Sequence, residues 1–270
     1  MSDTAPKGDA KARIGDWFAQ RPYVVKCLSV AIFLLLWQVL GRHVNPLFLA
    51  TPSAIFSAAV ELVQSGELLT ATMSSLTSFS IGMTIAIVGG VIIGMLMGQF
   101  WLFEYALEPF VDALNAIPRV ALIPLIILWF DLNLQGKVVI IASIAIVPVI
   151  INTFAGVKDV RGSLIEIGEA YCASRAQIFF KIIVPAALPF IISGARTAIG
   201  FGLTGMVVAE FFTSINGLGG LIVLFGNRFA TAKLFVPVII VGAMGIALSQ
   251  FVLYVERRLA PWRASERSRG

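Results

Sequence analysis

Few side chains in this 270-residue chain have a type and a spacing that could do chemistry, and most of them fall in one segment. Residues 166–189, EIGEAYCASRAQIFFKIIVPAALP, hold two glutamates, an arginine and a lysine between two long apolar stretches. A membrane connector needs only a few flexible polar residues. The concentration of charge and proline here therefore indicates a segment that is built to be contacted.

Capping patterns indicate that this polar segment is structured. Ser163 and Glu166, and again Ser174 and Gln177, have the Ser-x-x-Glu/Gln spacing of a capping box, in which each side chain satisfies a backbone N–H at a helix start. The two boxes predict two short helices that meet near Cys172. The second helix is expected to end near Pro185, where the next membrane span begins.

The catalytic motifs that we sought are absent from the sequence. His43 is the only histidine, which excludes a zinc-protease motif and a histidine triad. Gly136-Lys137 is followed by Val138, so no phosphate-binding loop is present. Cys27 and Cys172 lack the partners of a metal or nucleophile site. We expect no catalytic residue, no metal ligand and no cofactor in this chain.

Composition places the chain in a bilayer. Hydrophobic residues make up 58% and charged residues 13%, which leaves too little polar surface for one soluble core. Since a spanning helix needs about 20 apolar residues, we count six spans. The predicted spans are 26–43, 70–98, 107–130, 137–157, 186–213 and 234–256. The first is expected to be retained rather than cleaved as a signal peptide.

The basic residues predict an orientation. The N-terminal tail 1–25 with its flank, the loop 158–185 and the C-terminal tail 259–270 with its flank carry 14 of the 20 lysines and arginines. Retention of basic residues on the cytoplasmic side puts both tails and this loop inside the cell. Because topology explains the net charge of +5, no nucleic-acid partner is required.

Glycine patterns predict where helices pack closely, and one amphipathic stretch predicts a further helix outside the spans. Gly90, Gly94 and Gly98 predict a helix face for close packing, and Gly200-Phe-Gly202-Leu-Thr-Gly205 is read as packing rather than dinucleotide binding. Within residues 51–69, the sequence predicts a short outer helix that is capped by Thr51 or Ser53 and ends at Gly66.

Three charges within predicted spans are candidate functional residues, since a charge costs about 2.5–3.5 kcal/mol near the bilayer centre. They are Arg119, Arg196 and Glu210. Arg196 and Glu210 would share one side of a continuous helix. Either that side lines a pathway, with an arginine favouring a small anion and Thr204 nearby, or Arg196 extends to the cytoplasmic interface and Glu210 nears the outer one.

The polar segment resembles the cytoplasmic EAA loop of ABC-importer permeases. In that loop Glu-Ala-Ala is followed three residues later by Gly and then by Ile-x-Leu-Pro. This chain has Glu166-Ile167-Gly168, Cys172 in place of the Gly, and Ile182-Ile183-Val184-Pro185 at the same spacing. If the turn keeps the left-handed backbone of that glycine, cysteine costs about 1–2 kcal/mol there.

The resemblance extends over most of the chain. IPRVALIPLIILWF (117–130), PAALP (185–189) and VVAEFFTSINGLGG (207–220) are similar to the nitrate/sulfonate/taurine group of these permeases. It implies the fold of a type I importer permease, an all-α polytopic membrane protein with six transmembrane helices, whose permease domain spans 26–258. It also implies a location in the bacterial inner membrane.

The resemblance further implies partners and a contact surface. The partners are two ATPase subunits that bind ATP and magnesium, a periplasmic or lipid-anchored substrate-binding protein, and a second permease copy. The residues implied to couple to the ATPase are Ser163, Glu166, Gly168, Glu169, Ala170, Cys172, Ala173, Ser174, Gln177 and Pro185. Two alternatives remain open: a secondary transporter or channel that works without ATP, and a purely structural membrane subunit.

Overall fold

The computed structural model describes residues 21–213 and 217–259, and every regular element in these ranges is helical. The predicted all-helical class is confirmed. In chain order the elements are α1 Pro22–Arg42, α2 Pro52–Gln64, α3 Glu67–Gln99, α4 Trp101–Ala116, a 3-10 turn Arg119–Leu122, α5 Ile123–Phe130, α6 Leu134–Lys158, α7 Gly162–Ala170, α8 Arg175–Ile178, a π turn Phe179–Ile183, α9 Val184–Thr213, α10 Leu218–Asn227 and α11 Thr231–Leu259.

Five helical stretches are long and apolar enough to cross a membrane, and a bent pair supplies a sixth if it counts as one span. The five are Tyr23–Arg42, Glu67–Gln99, Leu134–Lys158, Arg175–Thr213 and Thr231–Arg258. Most residues of the predicted tails lie outside the described residues.

The third predicted span differs most from expectation, because it consists of two helices that meet at 96°. Ile117 is extended, with φ −74° and ψ 133°, and Pro118 follows it. Proline disfavours a helical conformation in the residue before it and has no N–H to continue the ladder. The break at Ile117 and Pro118 is therefore encoded locally, although the direction of the bend is not.

Helix α6 is the centre of the bundle, and both α3 and α9 pack along it. The predicted glycine face of α3 makes this contact. A Cβ atom on Gly90, Gly94 or Gly98 would lie within 2.7 Å of an atom of α6. The absence of these side chains lets the two helices approach closely, so the predicted packing role is confirmed.

The glycines of α9 divide between packing and exposure. A Cβ on Gly202 would meet Phe79 at 3.2 Å, and one on Gly205 would meet Ile144 at 3.1 Å, so both lie in the interior. Gly200 is exposed, with nothing within 4 Å. The packing interpretation of this motif is confirmed for two of its three glycines.

At the end of the bundle away from the loop 158–185, α2 packs with α10 and α11 over one apolar cluster. Thr51 caps α2 by accepting the N–H of Ala54, and Pro52 occupies the first turn, as predicted. Ile55, Ala58 and Leu62 are buried on one face of α2. Gly66, with φ +74°, separates α2 from α3.

Candidate functional site

The polar segment forms a compact helix-turn-helix that continues into a membrane helix. Helix α7 ends at Ala170, and α8 begins at Arg175. From Arg175 the chain stays helical to Thr213, a stretch of 39 residues. The turn between the helices is thus joined to the bundle without a flexible connection.

The second helix was predicted to end near Pro185, and this prediction is wrong. The helix passes through Pro185 because a π turn, Phe179–Ile183, precedes it, in which the N–H of Val184 donates to the carbonyl of Phe179, five residues earlier. In a regular α-helix the proline ring would clash with the carbonyl four residues before it. The wider turn relieves this crowding and keeps the helix continuous.

One of the two predicted capping boxes is formed. The Ser174 N–H donates to Oε1 of Gln177 at 2.8 Å, and the Gln177 N–H donates to Oγ of Ser174 at 3.3 Å. Both polar groups at the start of α8 are therefore satisfied by side chains of the same turn. This fixes the point at which the second helix begins.

The first predicted capping box, Ser163 with Glu166, is wrong. Helix α7 begins at Gly162, so its cap position is Arg161, and no side chain caps it. Ser163 is therefore the second residue of the helix, two positions past the cap. A capping hydroxyl must sit at the non-helical residue that precedes the helix.

The turn between α7 and α8 has the hydrogen bonds of a Schellman motif. The Ala173 N–H donates to Gly168 O at 3.0 Å, and the Cys172 N–H donates to Glu169 O at 2.8 Å. Cys172 occupies the left-handed position, with φ +54°, where glycine is the usual residue. The turn has kept the backbone that a glycine would favour, so the predicted cost of about 1–2 kcal/mol applies to Cys172.

Gly168 brings the two helices of this loop together. It is buried, and a Cβ there would lie 2.9 Å from Cδ1 of Ile182 and 3.2 Å from Cγ1 of Ile178. Both contacts are with side chains that begin the continuous helix. Because Gly168 has no side chain, α7 packs directly against the first turns of that helix.

The remaining predicted coupling residues divide between the surface and the joint. Glu166, Glu169, Ala170 and Cys172 are exposed, whereas Ala173 and Pro185 are half-buried. Apolar side chains interrupt the charges on the exposed face, with Ile167 54% and Tyr171 85% exposed. A face that mixes acidic and large apolar side chains is suited to contact with another protein.

A cavity of about 860 Å³ lies between this helix-turn-helix and the end of α3. Its polar lining residues are Gln99, Glu169 and Arg175, and apolar side chains such as Phe180 and Ile183 complete it. The turn is thus attached to the bundle through α9 more than through α3.

Glu210 is fully buried whereas Arg196 is exposed, so the expectation that the two share one side of the helix is wrong. Its carboxyl group receives the Ser75 hydroxyl, at 2.7 and 2.9 Å from its two oxygens, and the Gly219 N–H at 2.8 Å. Oγ of Ser75 in turn accepts the Leu218 N–H at 2.8 Å. The two side chains together satisfy the first N–H groups of α10, where a negative charge is favoured.

Two residues of this buried cluster were not predicted. Ser75 lies in the long uncharged run of α3, and Lys137 was placed at a span boundary. Lys137 is 7% exposed and lies close enough to interact electrostatically with Glu210. The sequence feature that could have indicated this buried cluster is Gly217-Leu-Gly219, which follows Glu210. A Cβ on Gly219 would lie 2.7 Å from the Glu210 side chain.

Arg119 lies just after the break in the bent span, and all three of its nitrogens are engaged. Nη1 donates to Ile144 O at 2.7 Å, Nε to Leu114 O at 3.2 Å, and Nη2 to Oδ1 of Asn115 at 3.0 Å. The guanidinium also lies 5.1 Å from the ring centroid of Phe201. Arg119 therefore holds the bend together and ties it to α6 and α9.

Arg196 and Thr204 lie on the exposed face of α9 together with Thr197, Gly200 and Phe201. Thr204 donates only to the carbonyl of Gly200 in its own helix. Arg196 has no hydrogen-bond or ion-pair partner among residues 21–213 and 217–259. Of the predicted pathway residues, these two are accessible.

Comparison with known proteins identifies relatives over most of the chain. Residues 86–262 match the family described as binding-protein-dependent transport system inner membrane component. A protein of Bacillus subtilis (strain 168) named as an aliphatic sulfonates transport permease, SsuC, is 35% identical over 88% of this chain and 87% of its own length. The taurine transport system permease protein TauC of Escherichia coli (strain K12) is 27% identical, over 91% and 92%.

Solved structures share the fold at low sequence identity. A chain from an amino acid ABC transporter with histidines has a TM-score of 0.58 at 18% identity and covers 74% of this chain and 97% of its own. A chain from the inward-facing MetNI methionine ABC transporter has a TM-score of 0.57 at 18% identity, covering 71% and 94%.

Proposed function

Because the chain belongs to the family of binding-protein-dependent transport system inner membrane components, we propose that it forms the pathway of an ATP-driven importer of small sulfonate-like anions. It is a multi-pass permease of the ABC transporter type, so the family predicted from the sequence is confirmed. The alternative of an ATP-independent transporter receives no support from the relatives.

The helix-turn-helix of residues 162–183 is the proposed contact with the ATPase subunits. This proposal rests on the rigid connection of the turn to the bundle. A capping box and a Schellman motif fix the turn, and the chain continues from it as one 39-residue helix into the bundle. A displacement of the exposed Glu166, Glu169 and Tyr171 by a bound subunit would therefore move α9. A flexible connector would not transmit this displacement.

The proposed assembly follows from the family. Two ATPase subunits would bind ATP and magnesium and contact the loop, because the sequence contains no phosphate-binding loop of its own. A substrate-binding protein would deliver the solute to the opposite end of the bundle, where α2 and α10 lie. A second copy of this chain would complete the pathway.

The proposed location is the bacterial inner membrane, with both tails and the loop 158–185 in the cytoplasm. The bias of lysine and arginine toward these three segments supports the orientation. Helix α9 leads from the loop to α10, so this orientation would put α10 at the outer end of the bundle.

The proposed substrate class is a small sulfonate or a similar anion. The names of the relatives support this class, since SsuC is named for aliphatic sulfonates and TauC for taurine. In this chain, Arg196 and Thr204 are proposed to lie beside the pathway, whereas Glu210 and Arg119 are committed to internal contacts. The binding protein would supply most of the specificity.

The test is to purify the tagged chain gently from its own membranes and to identify the proteins that accompany it. An ATPase subunit and a substrate-binding protein should copurify, and that binding protein should bind taurine or an alkanesulfonate. Purification of the chain without an ATPase would contradict the importer. A binding protein that prefers a cation or a sugar would contradict the substrate class alone.

A further inference from the structure

Helix α4 carries a line of polar side chains, here called the polar stripe, which consists of Glu104, Glu108, Asp112 and Asn115. Their spacing of four, four and three residues places them on one face of a helix. Glu104 pairs with Lys158 at 2.6 Å, and Asn115 accepts a hydrogen bond from Arg119. Glu108 and Asp112 are exposed and have no hydrogen-bond or ion-pair partner in the described part of the chain.

The position of Asp112 along the bundle axis follows from the contacts of its neighbour Val111. Val111 is buried against Val147 and Ile150 of α6. At 1.5 Å per residue, these positions lie roughly 12–16 Å from the end of α6 at Lys158. Asp112 therefore sits well inside the bundle's length, and its short side chain does not reach the end.

Arg196 lies at the same level on α9. A Cβ on Gly194, two residues earlier, would contact Pro148 O at 3.2 Å and Cα of Val149 at 3.3 Å. These residues belong to the stretch of α6 that packs beside Val111. An unpartnered acid and an unpartnered arginine thus occupy one level, on two helices that both pack on α6.

The two charges also border the same surface. Arg119 is bonded to Asn115 at the far end of the polar stripe, and its guanidinium lies 5.1 Å from the ring of Phe201. Phe201 lies on the exposed face of α9 together with Arg196. The polar stripe and the exposed face of α9 therefore meet at Arg119 and flank one open surface.

We propose that a second copy of this chain covers this surface, with Arg196 of each copy paired to Asp112 of the other. A charge exposed to hydrocarbon costs about 2.5–3.5 kcal/mol, so three unpartnered charges on one surface are not suited to lipid. A two-fold symmetric contact brings an acid and an arginine of equal depth together twice. The inference rests on the proposed pairing of two copies and names the contact that forms it.

Disulfide formation tests the pairing directly. In a chain with Cys27→Ser and Cys172→Gly, one tagged copy would carry Asp112→Cys and a differently tagged copy Arg196→Cys, expressed together. Oxidation should join the two tags in one covalent dimer. The matched control replaces Asp112→Cys with Ile92→Cys, which is exposed at a similar level but opposite the glycine face of α3, and it should give no such dimer.

Three results would overturn the inference. The first is the absence of a mixed-tag dimer, and the second is an equal yield of dimer with the Ile92 control. The third is a chain carrying both cysteines that forms only an internal disulfide, which would place the pair within one copy. In each case, copurification of the ATPase would show that the proposed function stands while the contact fails.

Charge exchange gives an independent measurement. Arg196→Glu or Asp112→Arg should each lower uptake by about tenfold, because like charges would face each other across the two copies. The chain with both changes should recover to within about threefold of the unaltered protein. A double variant no better than the weaker single variant would refute the pairing.

Discussion

The hydroxyl of Ser75 lies 2.7 Å from Oε1 of Glu210, although 135 residues separate the two in the chain. This contact fastens the start of α10 to both α3 and α9, because the same two side chains accept the N–H groups of Leu218 and Gly219. The buried carboxyl group of Glu210 therefore stabilises the contact of α10 with α3 and α9.

Removal of this carboxyl group should destabilise the bundle. Glu210→Ala would leave the Ser75 hydroxyl and the Gly219 N–H without their acceptor. We expect a loss of about 3 kcal/mol in unfolding free energy, and about 1–3 kcal/mol for Ser75→Ala. Thermal unfolding in detergent measures both.

Thr77→Ala is the matched control for these two changes, since Thr77 is exposed on α3 and donates only to Met73 of its own helix. It should change stability by less than about 0.5 kcal/mol. An equally small effect of Glu210→Ala would contradict the structural role of this residue.

Glycine at position 172 should stabilise the loop. Because Cys172 has φ +54°, Cys172→Gly removes the strain of a left-handed non-glycine residue, a gain of about 1 kcal/mol. Amide hydrogen exchange of Cys172 and Ala173 should slow by about fivefold. Cys172→Ala keeps a Cβ and should give no gain; equal slowing in both variants would count against the strained turn.

The two loop serines should respond differently to replacement. Ser174 caps α8, so Ser174→Ala should cost about 1 kcal/mol of local stability. Ser163 lies within α7 and caps nothing, so Ser163→Ala should stay within about 0.5 kcal/mol. Hydrogen exchange over residues 162–178 compares them, and a larger effect at Ser163 would restore the first capping box.

Reversal of the exposed acidic charges of the loop should uncouple ATP hydrolysis from transport. Glu166→Lys or Glu169→Lys should leave membrane insertion unchanged but abolish the stimulation of ATPase activity by loaded binding protein, because both side chains lie on the proposed contact face. Glu169→Asp, which keeps the negative charge at the same exposed position, is the matched control and should retain the stimulation. Normal stimulation of ATPase activity in both lysine variants would show that these side chains do not couple the ATPase to transport.

Sequence patterns predicted those features that depend on residues close together in the chain. Apolar runs predicted the membrane helices, Ser174 and Gln177 their capping box, and Gly90, Gly94 and Gly98 their packing face. Each of these rests on interactions within one helix turn or on a period along one helix. The equivalence of Cys172 to a turn glycine came from the resemblance of this segment to the EAA loop.

The features that were not predicted depend on contacts between distant segments or on small shifts of a helix start. The Ser163 capping box fails because α7 begins at Gly162, two residues earlier than that box requires. The helix continues past Pro185 because a π turn relieves the clash. Glu210 is buried because Ser75 and α10 surround it, which no periodicity within α9 reveals. The 96° bend is held by Arg119 and its bonds to α4 and α6.

The central claim is that this permease moves its solute only when an ATPase acts on the loop 162–183. The most direct measurement is uptake of radiolabelled taurine into vesicles that contain the permease, with binding protein outside and ATP inside. Accumulation should occur when the copurified ATPase is included and should be absent without it. Accumulation by the permease alone, without the ATPase or ATP, would contradict the claim.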